Sequence, residues 1–357
     1  MKQYINKLSS LIIVLSIMLS INALAGKGKG DYTKPYKQDF NINKGATLII
    51  NTEFTDIKAF NWDKDIISIE VNINVDARNQ EKAEDKFRNV TVQMSGSSSK
   101  VELSTELHSS FFGKNSNNNI DIEVVIYYPA HIHLELNNEF GGSIFENIDG
   151  NVEVEVSYGS FTAEMLTDSN LDLDVEFGSI KLQRFQAGKV HISYGSFDAQ
   201  VVGDIDLHSE FSSIDVGLAD RLKLNSAYDK NFFDEINYAH IETDFSSLRI
   251  DKLSNYLQLK TSYGSLKIGQ IKQDFEMIDI ESEFTGINLN FPKNASFAFQ
   301  ANIEMGDFDY PKESAHITSL EKEMMELNIG GYFGNAKGDH PKLKLDVENA
   351  GVEININ

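Results

Sequence analysis

A motif of acid or serine, aromatic, glycine or serine, serine and apolar residue recurs through the middle of the chain, and no other feature restricts its fold as tightly. The aromatics are Phe140, Tyr158, Phe177, Tyr194, Phe211, Tyr228, Phe245, Tyr263 and Phe284, spaced 18, 19, 17, 17, 17, 17, 18 and 21 residues apart, with Phe and Tyr alternating throughout. A unit this short cannot bury a core by itself, so successive units must stack and cover one another.

The flanks have a period of two. Leu171, Leu173 and Val175 precede Phe177, and Leu257, Leu259 and Thr261 precede Tyr263. Alternation puts these residues on one strand face together with the aromatic, so the aromatics are expected inside, as a packed ladder. The apolar parity then flips, with Ile180 and Leu182 following Phe177 and Ile214 and Val216 following Phe211. A flip at a Gly/Ser pair marks a corner or bulge, so each unit reads as strand, corner, strand, turn. Weaker copies surround Phe54, Met305 and Asn349, giving 12 units. Two segments interrupt them. Residues 60–130 carry extra strands and a short helix at Asn79 to Phe87. Residues 311–340 carry loop, a possible short helix near Leu320 to Met325 and a Gly-rich stretch.

One unit is either a full coil or half of a coil of about 35 residues. The outward position five before each aromatic reads Glu153, Asp172, Lys189, Asp206, Lys223, His240, Gln258 and Asp279. Stacking consecutive units sets Lys189 between Asp172 and Asp206, whereas the double-length coil stacks carboxylate on carboxylate, which is destabilising. The expectation is an all-β, parallel β-solenoid with about 17–18 residues per coil.

The N-terminus reads as a secretory leader over 1–25. Lys2 and Lys7 supply positive charge, Leu11 to Leu19 is apolar, and Ala23-Leu24-Ala25 is a small-x-small cleavage site. The mature chain is expected to start near Gly26, with a flexible lead over 26–40 and one solenoid domain over 41–357. The apolar run is short for a membrane span, so no span is expected after cleavage. The chain has no cysteine, which excludes a lipid-anchored lipoprotein, disulfides and thiolate metal sites. Losing the two leader lysines takes the formal charge from −22 to −24. That charge argues against nucleic acid or anionic membrane as partner.

The layout resembles the bacterial putative adhesin family, also described as toastrack-like domains. The residues that carry the resemblance are Glu53-Phe54-Thr55-Asp56-Ile57, the Asn61-Trp62-Asp63 step, the SYGS and EFGS repeats and the closing Gly351-Val352-Glu353-Ile354. The resemblance implies a right-handed β-solenoid, an envelope or surface setting and no catalytic residues to carry over.

Phosphate loops, nucleophile elbows and zinc-protease helices do not occur. The metal candidates are His131 with His133, two apart on a strand, and His191 with His208, at the same outward position of adjacent units. Neither pair has an obvious third ligand. Calcium is conceivable on the acidic face, but no calcium-loop spacing is present. No cofactor is expected. A sugar-stacking role for the aromatic column conflicts with its inward parity. The five arginines, Arg78, Arg88, Arg184, Arg221 and Arg249, do not cluster in the repeat frame as a polysaccharide lyase or hydrolase on a β-helix would need. The expectation is an exported, non-catalytic binding or scaffold protein for a protein or glycan partner, with the glycan-active enzyme as the alternative. The two irregular segments are the expected specificity regions.

Overall fold

Twelve non-glycine residues among those described hold a positive φ: Phe54, Phe140, Tyr158, Phe177, Tyr194, Phe211, Tyr228, Phe245, Tyr263, Phe284, Met305 and Asn349, all between +48° and +59°. They are the corner residues of the twelve sequence units. The structure, a computed structural model, describes residues 30–108, 120–336 and 342–357.

Each corner follows from the chain geometry around it. The strands before and after it are extended and parallel to those of the next coil, as in the pairing of β12 (Ser179–Ser193) with β13 (Ser196–Glu210) and of β13 with β14 (Ser213–Ala227). One left-handed residue reverses the pleat between them. Its own N–H still reaches the neighbouring coil, as in Tyr194 N to Glu210 O at 3.0 Å and Phe211 N to Ala227 O at 3.0 Å. The hydrogen-bond ladder therefore continues around the bend. A left-handed L-residue costs about 1–2 kcal/mol, and repeating it at every level lets the corner side chains stack.

The stack corrects one expectation. The rings lie outside, not in the core: Phe140 to Phe284 are 39–53% exposed. Alternation assigns the aromatic to the inner face, but the left-handed φ swings its side chain outward. The following residue takes the inner seat, and Ser212, Asp229, Ser246 and Thr285 are all buried. Where that seat is glycine, backbone fills the space. A Cβ on Gly195 would lie 2.3 Å from Gly178 O. The core itself is aliphatic with Phe161, Phe185, Phe197 and Phe233 at its centre. Asp229 is a carboxylate at the buried corner. It accepts from Ser209 Oγ (2.7 Å), Ser226 Oγ (2.7 Å) and Ser212 N (2.5 Å).

One unit makes one coil. Asp172 pairs with Lys189 and Lys189 with Asp206, so the 35-residue alternative fails. The stacking order departs from chain order at both ends. At the first end β6 (Lys100–Leu107) and β7 (Ile120–Tyr128) form a further coil within the 60–130 interruption. They lie parallel to β2 (Thr47–Glu53) and β3 (Thr55–Asn61). That coil is covered by antiparallel β5 (Val90–Gly96) and β4 (Ile66–Ala77). The helix α1 (Gln80–Phe87) is present, capped by Asn79, which accepts from Lys82 N, and it buries Ala83 and Phe87. The described part of the expected flexible lead instead belongs to β1 (Gly30–Asn41), paired along its length with β4, while 26–29 lie outside the described residues. Tyr32, Tyr36 and Phe40 alternate onto the covered face, and Pro35 is tolerated because the strand lies at an edge. The leader at 1–25 lies outside the described residues.

At the other end β22 (Leu343–Glu348) inserts between β17 (Met277–Phe291) and β18 (Phe297–Glu304). The short helix expected near Leu320 to Met325 is a hairpin of β20 (Ala315–Lys322) and β21 (Glu326–Phe333), and β21 caps β18 antiparallel. Pairing to β18 overrides the local helical preference of that segment. Antiparallel strands thus flank both ends of the parallel stack, and β1, β5 and β20 each lie at an outer edge.

Candidate binding site

Two long features cross the coils on the outer surface. The first is the corner column. Ten rings, from Phe54 through Phe140 to Phe284, stack face to face with centroids 4.6–5.0 Å apart and planes within 2–12° of parallel. Each ring covers its neighbours' faces and presents an edge to solvent. A column of this kind offers no row of open faces for sugars. Beside it the residue before each Phe is acidic (Glu53, Glu139, Glu176, Glu210, Asp244, Glu283) and the residue before each Tyr is serine or alanine. Register places Glu176–Ser193–Glu210–Ala227–Asp244 in one column, so carboxylates recur there at every second coil, whereas Glu53 and Glu139 are direct register partners.

The second feature is a groove of about 760 Å³ on the second bend of five successive coils. One column of residues runs Asn170, Ala187, Asp204, Arg221, Tyr238, and a parallel one runs Asp172, Lys189, Asp206, Lys223, His240. Ala187 leaves the groove shallow at its coil. Gly188 beside it stands in register with the buried Leu171, Ile205 and Leu222, and a Cβ there would lie 2.6 Å from Leu171 Cβ on the core side. Arg221 grips Asp204 with two bonds, Nε to Oδ1 at 2.7 Å and Nη2 to Oδ2 at 2.6 Å, and the carboxylate holds the guanidinium proton more firmly than usual. Lys223 Nζ meets Asp206 Oδ2 at 3.0 Å. Both carboxylates thus pair with a cation of the next coil. Tyr238 stands at one end, backed by Tyr256 with centroids 6.4 Å apart.

The histidine candidates separate. His131 Nε2 lies 2.9 Å from Asp65 Oδ1, while His133 Nδ1 accepts from Asn151 N at 2.8 Å. His191 and His208 are register partners, as expected, but each leans on a carboxylate of its own, Asp174 (3.7 Å) and Asp206 (3.2 Å). Among the described residues no group of three His, Asp or Glu side chains is placed to hold a metal ion. On the other wall Asp215 sits in register with Asp198, and burial first, then Asp198 and Asp234, raises its carboxyl above the usual range. Of the two irregular segments, 311–340 carries the β20–β21 hairpin, with Leu320, Met324 and Met325 exposed at and beside its turn. The groove was not anticipated from sequence. Its sequence signals are the opposite charges of Asp204 and Arg221, one repeat apart, and the alternating column from Asp172 to His240 that forms its other side.

The model of the family described as Toastrack DUF4097 matches residues 45–329, which take in the stack from β2 through β20 and leave out β1 and the inserted β22. The chain belongs to the toastrack family. Among solved structures, the toastrack chain is similar to a "putative cell adhesion protein" from Clostridium sporogenes, at 12% identity over 91% of this chain and 100% of that one, with a TM-score of 0.22. It is also similar to a "putative adhesin" from Bacteroides fragilis, at 9% identity, 90% and 97% coverage and a TM-score of 0.20. A "putative lipid binding protein" from Parabacteroides distasonis matches at 9% identity, 90% and 96% coverage and a TM-score of 0.26. A comparison with curated proteins finds no match. Among the described residues no helix is long and apolar enough to cross a membrane.

Proposed function

We propose that this toastrack protein is an exported, non-catalytic binding scaffold of the bacterial cell envelope, adhesin-like in role. The observation that carries the reading is the exposed corner column. Nine of its rings keep 39–53% of their surface open. At about 200 Å² per ring, the column offers roughly 800 Å² of contiguous apolar surface, more than the about 300–600 Å² typical of a monomer's largest patch. The stacked coils carry that surface over about 40 Å, at the 4.6–5.0 Å ring step. The leader-type N-terminus and the family membership support the envelope setting.

The test has two arms. Intact mass of the native protein is expected to give a chain beginning near Gly26, recovered with the envelope or periplasmic fraction. Protease applied to sealed cells then tells surface from periplasm. An uncleaved Met1 in the cytoplasm overturns the export reading. For binding, cells producing a Phe177→Ser/Phe211→Ser protein at wild-type level are expected to lose attachment to the surface that wild-type cells colonise. Unchanged attachment removes the column from the function.

A further inference from the structure

We propose that the groove over the second bend binds a neutral, extended oligosaccharide of β-1,4-linked pyranoses, lying parallel to the solenoid axis with one sugar ring per coil. The site is separate from the corner column, and the inference goes beyond the scaffold reading above by assigning a ligand class.

Shape comes first. The groove spans five coils, roughly 20 Å at the strand spacing of a sheet. It is shallowest at Ala187, the smallest outward side chain along it. An equatorially linked pyranose advances a glycan by nearly the same step as one coil. Each ring therefore meets the same pair of columns as its neighbour, as a periodic ligand on a periodic wall should. An α-1,4 glucan curves away from such a line.

Charge selects next. The chain carries a formal charge of −22. The groove lining nonetheless has three carboxylates, Asp172, Asp204 and Asp206, against three cations, Lys189, Arg221 and Lys223. This locally neutral strip complements an uncharged ligand, and the surrounding negative field disfavours an anionic glycan. Four of these charges are held in pairs, Asp204 with Arg221 and Asp206 with Lys223. The Asp204–Arg221 fork uses Nε and Nη2, which leaves Nη1 and further carboxylate lone pairs for sugar hydroxyls, which both donate and accept.

Recognition of the carbohydrate C–H face falls to Tyr238, which is 37% exposed and braced by Tyr256. A ring held by a neighbour loses little freedom on binding. An acyl chain is the weaker occupant, because ionised side chains rim the groove at successive coils and would be stripped of water by it.

The test uses purified protein and calorimetric titration with cellohexaose and chitohexaose, with maltohexaose and palmitate as comparison ligands. Expected are binding of a β-1,4 hexaose, none of maltohexaose, and a weakening of about three- to tenfold in Tyr238→Ala, as loss of one stacking contact would give. Ala187→Trp fills the floor from a solvent-facing position and is expected to abolish binding while leaving the melting temperature close to wild type. The column variant Phe177→Ser/Phe211→Ser is expected to bind as wild type. The inference is overturned by a failure of both β-1,4 hexaoses to bind. Equal binding of maltohexaose, affinity unchanged in Ala187→Trp, or palmitate as the ligand that Ala187→Trp expels would each overturn it too.

Discussion

Phe211 shows what the corner asks of a single residue. Its φ of +50° is costly for any L-residue, and its ring is 44% exposed, so burial alone does not explain it. What it gains is contact with Tyr194 at 5.0 Å and Tyr228 at 4.8 Å. Stacked pairs contribute about 0.5–1.5 kcal/mol each. Phe211→Ala is therefore expected to lose about 1–3 kcal/mol, keeping the strain while losing both stacks. Phe211→Gly should be milder by up to about 1 kcal/mol, because glycine takes a positive φ freely. Phe197→Ala, at a fully buried ring, should cost about 3–5 kcal/mol. Denaturant melts of the three variants check the order, and equal losses for Phe211→Ala and Phe197→Ala would mean that the corner ring behaves as core. The sequence carried the position of every corner but not the direction of its side chain. Parity counting assumes an unbroken pleat, and φ at one residue is invisible to it. Asn349 hinted at the answer, since asparagine favours the left-handed region far more than phenylalanine does.

Between neighbouring strands, register was the most legible property, because charge columns report it directly. Lys189 occupies the expected place between Asp172 and Asp206. Lys189→Glu would line up three carboxylates, and each like-charge contact is expected to destabilise by a few tenths to about 1 kcal/mol. The loss should shrink in high salt, as exposed charges are screened. Stability unchanged at low salt would show that the columns do not interact. The groove was less legible at this scale. One of its columns, Asn170 to Tyr238, sits where the second bend skips residues in the pairing, between Leu182/Arg184 and Phe185/Ala187 on β12, so the period of two fails there. The hairpin of β20 and β21 was misjudged because its pairing partner, β18, is not its neighbour in the repeat pattern.

Across the whole molecule, the coil built from 342–357 sits between β17 and β18, each of which precedes it in sequence. Deleting 342–357 is expected to do more than trim an end. It would uncover Ile278, Ile280, Phe299 and Ala301 together, and hydrogen exchange should show β17 through β21 losing protection while the coils around Phe197 keep theirs. Protection retained in β18 and β21 would refute this. The same arrangement bears on how the chain acquires its shape over time. Coils from β10 (Val152–Ser157) to β16 (Ser247–Ile271) join segments about one repeat apart, contacts that form soon after each segment appears. The layers beyond β17 wait for a segment made some forty residues after β18, as the pairing of Asn302 with Asp346 shows. Until it arrives, two apolar strand edges stay open. A chain delivered across a membrane end-first would therefore complete its stack only after crossing, and a pause late in delivery would leave a sticky half-built face toward its neighbours.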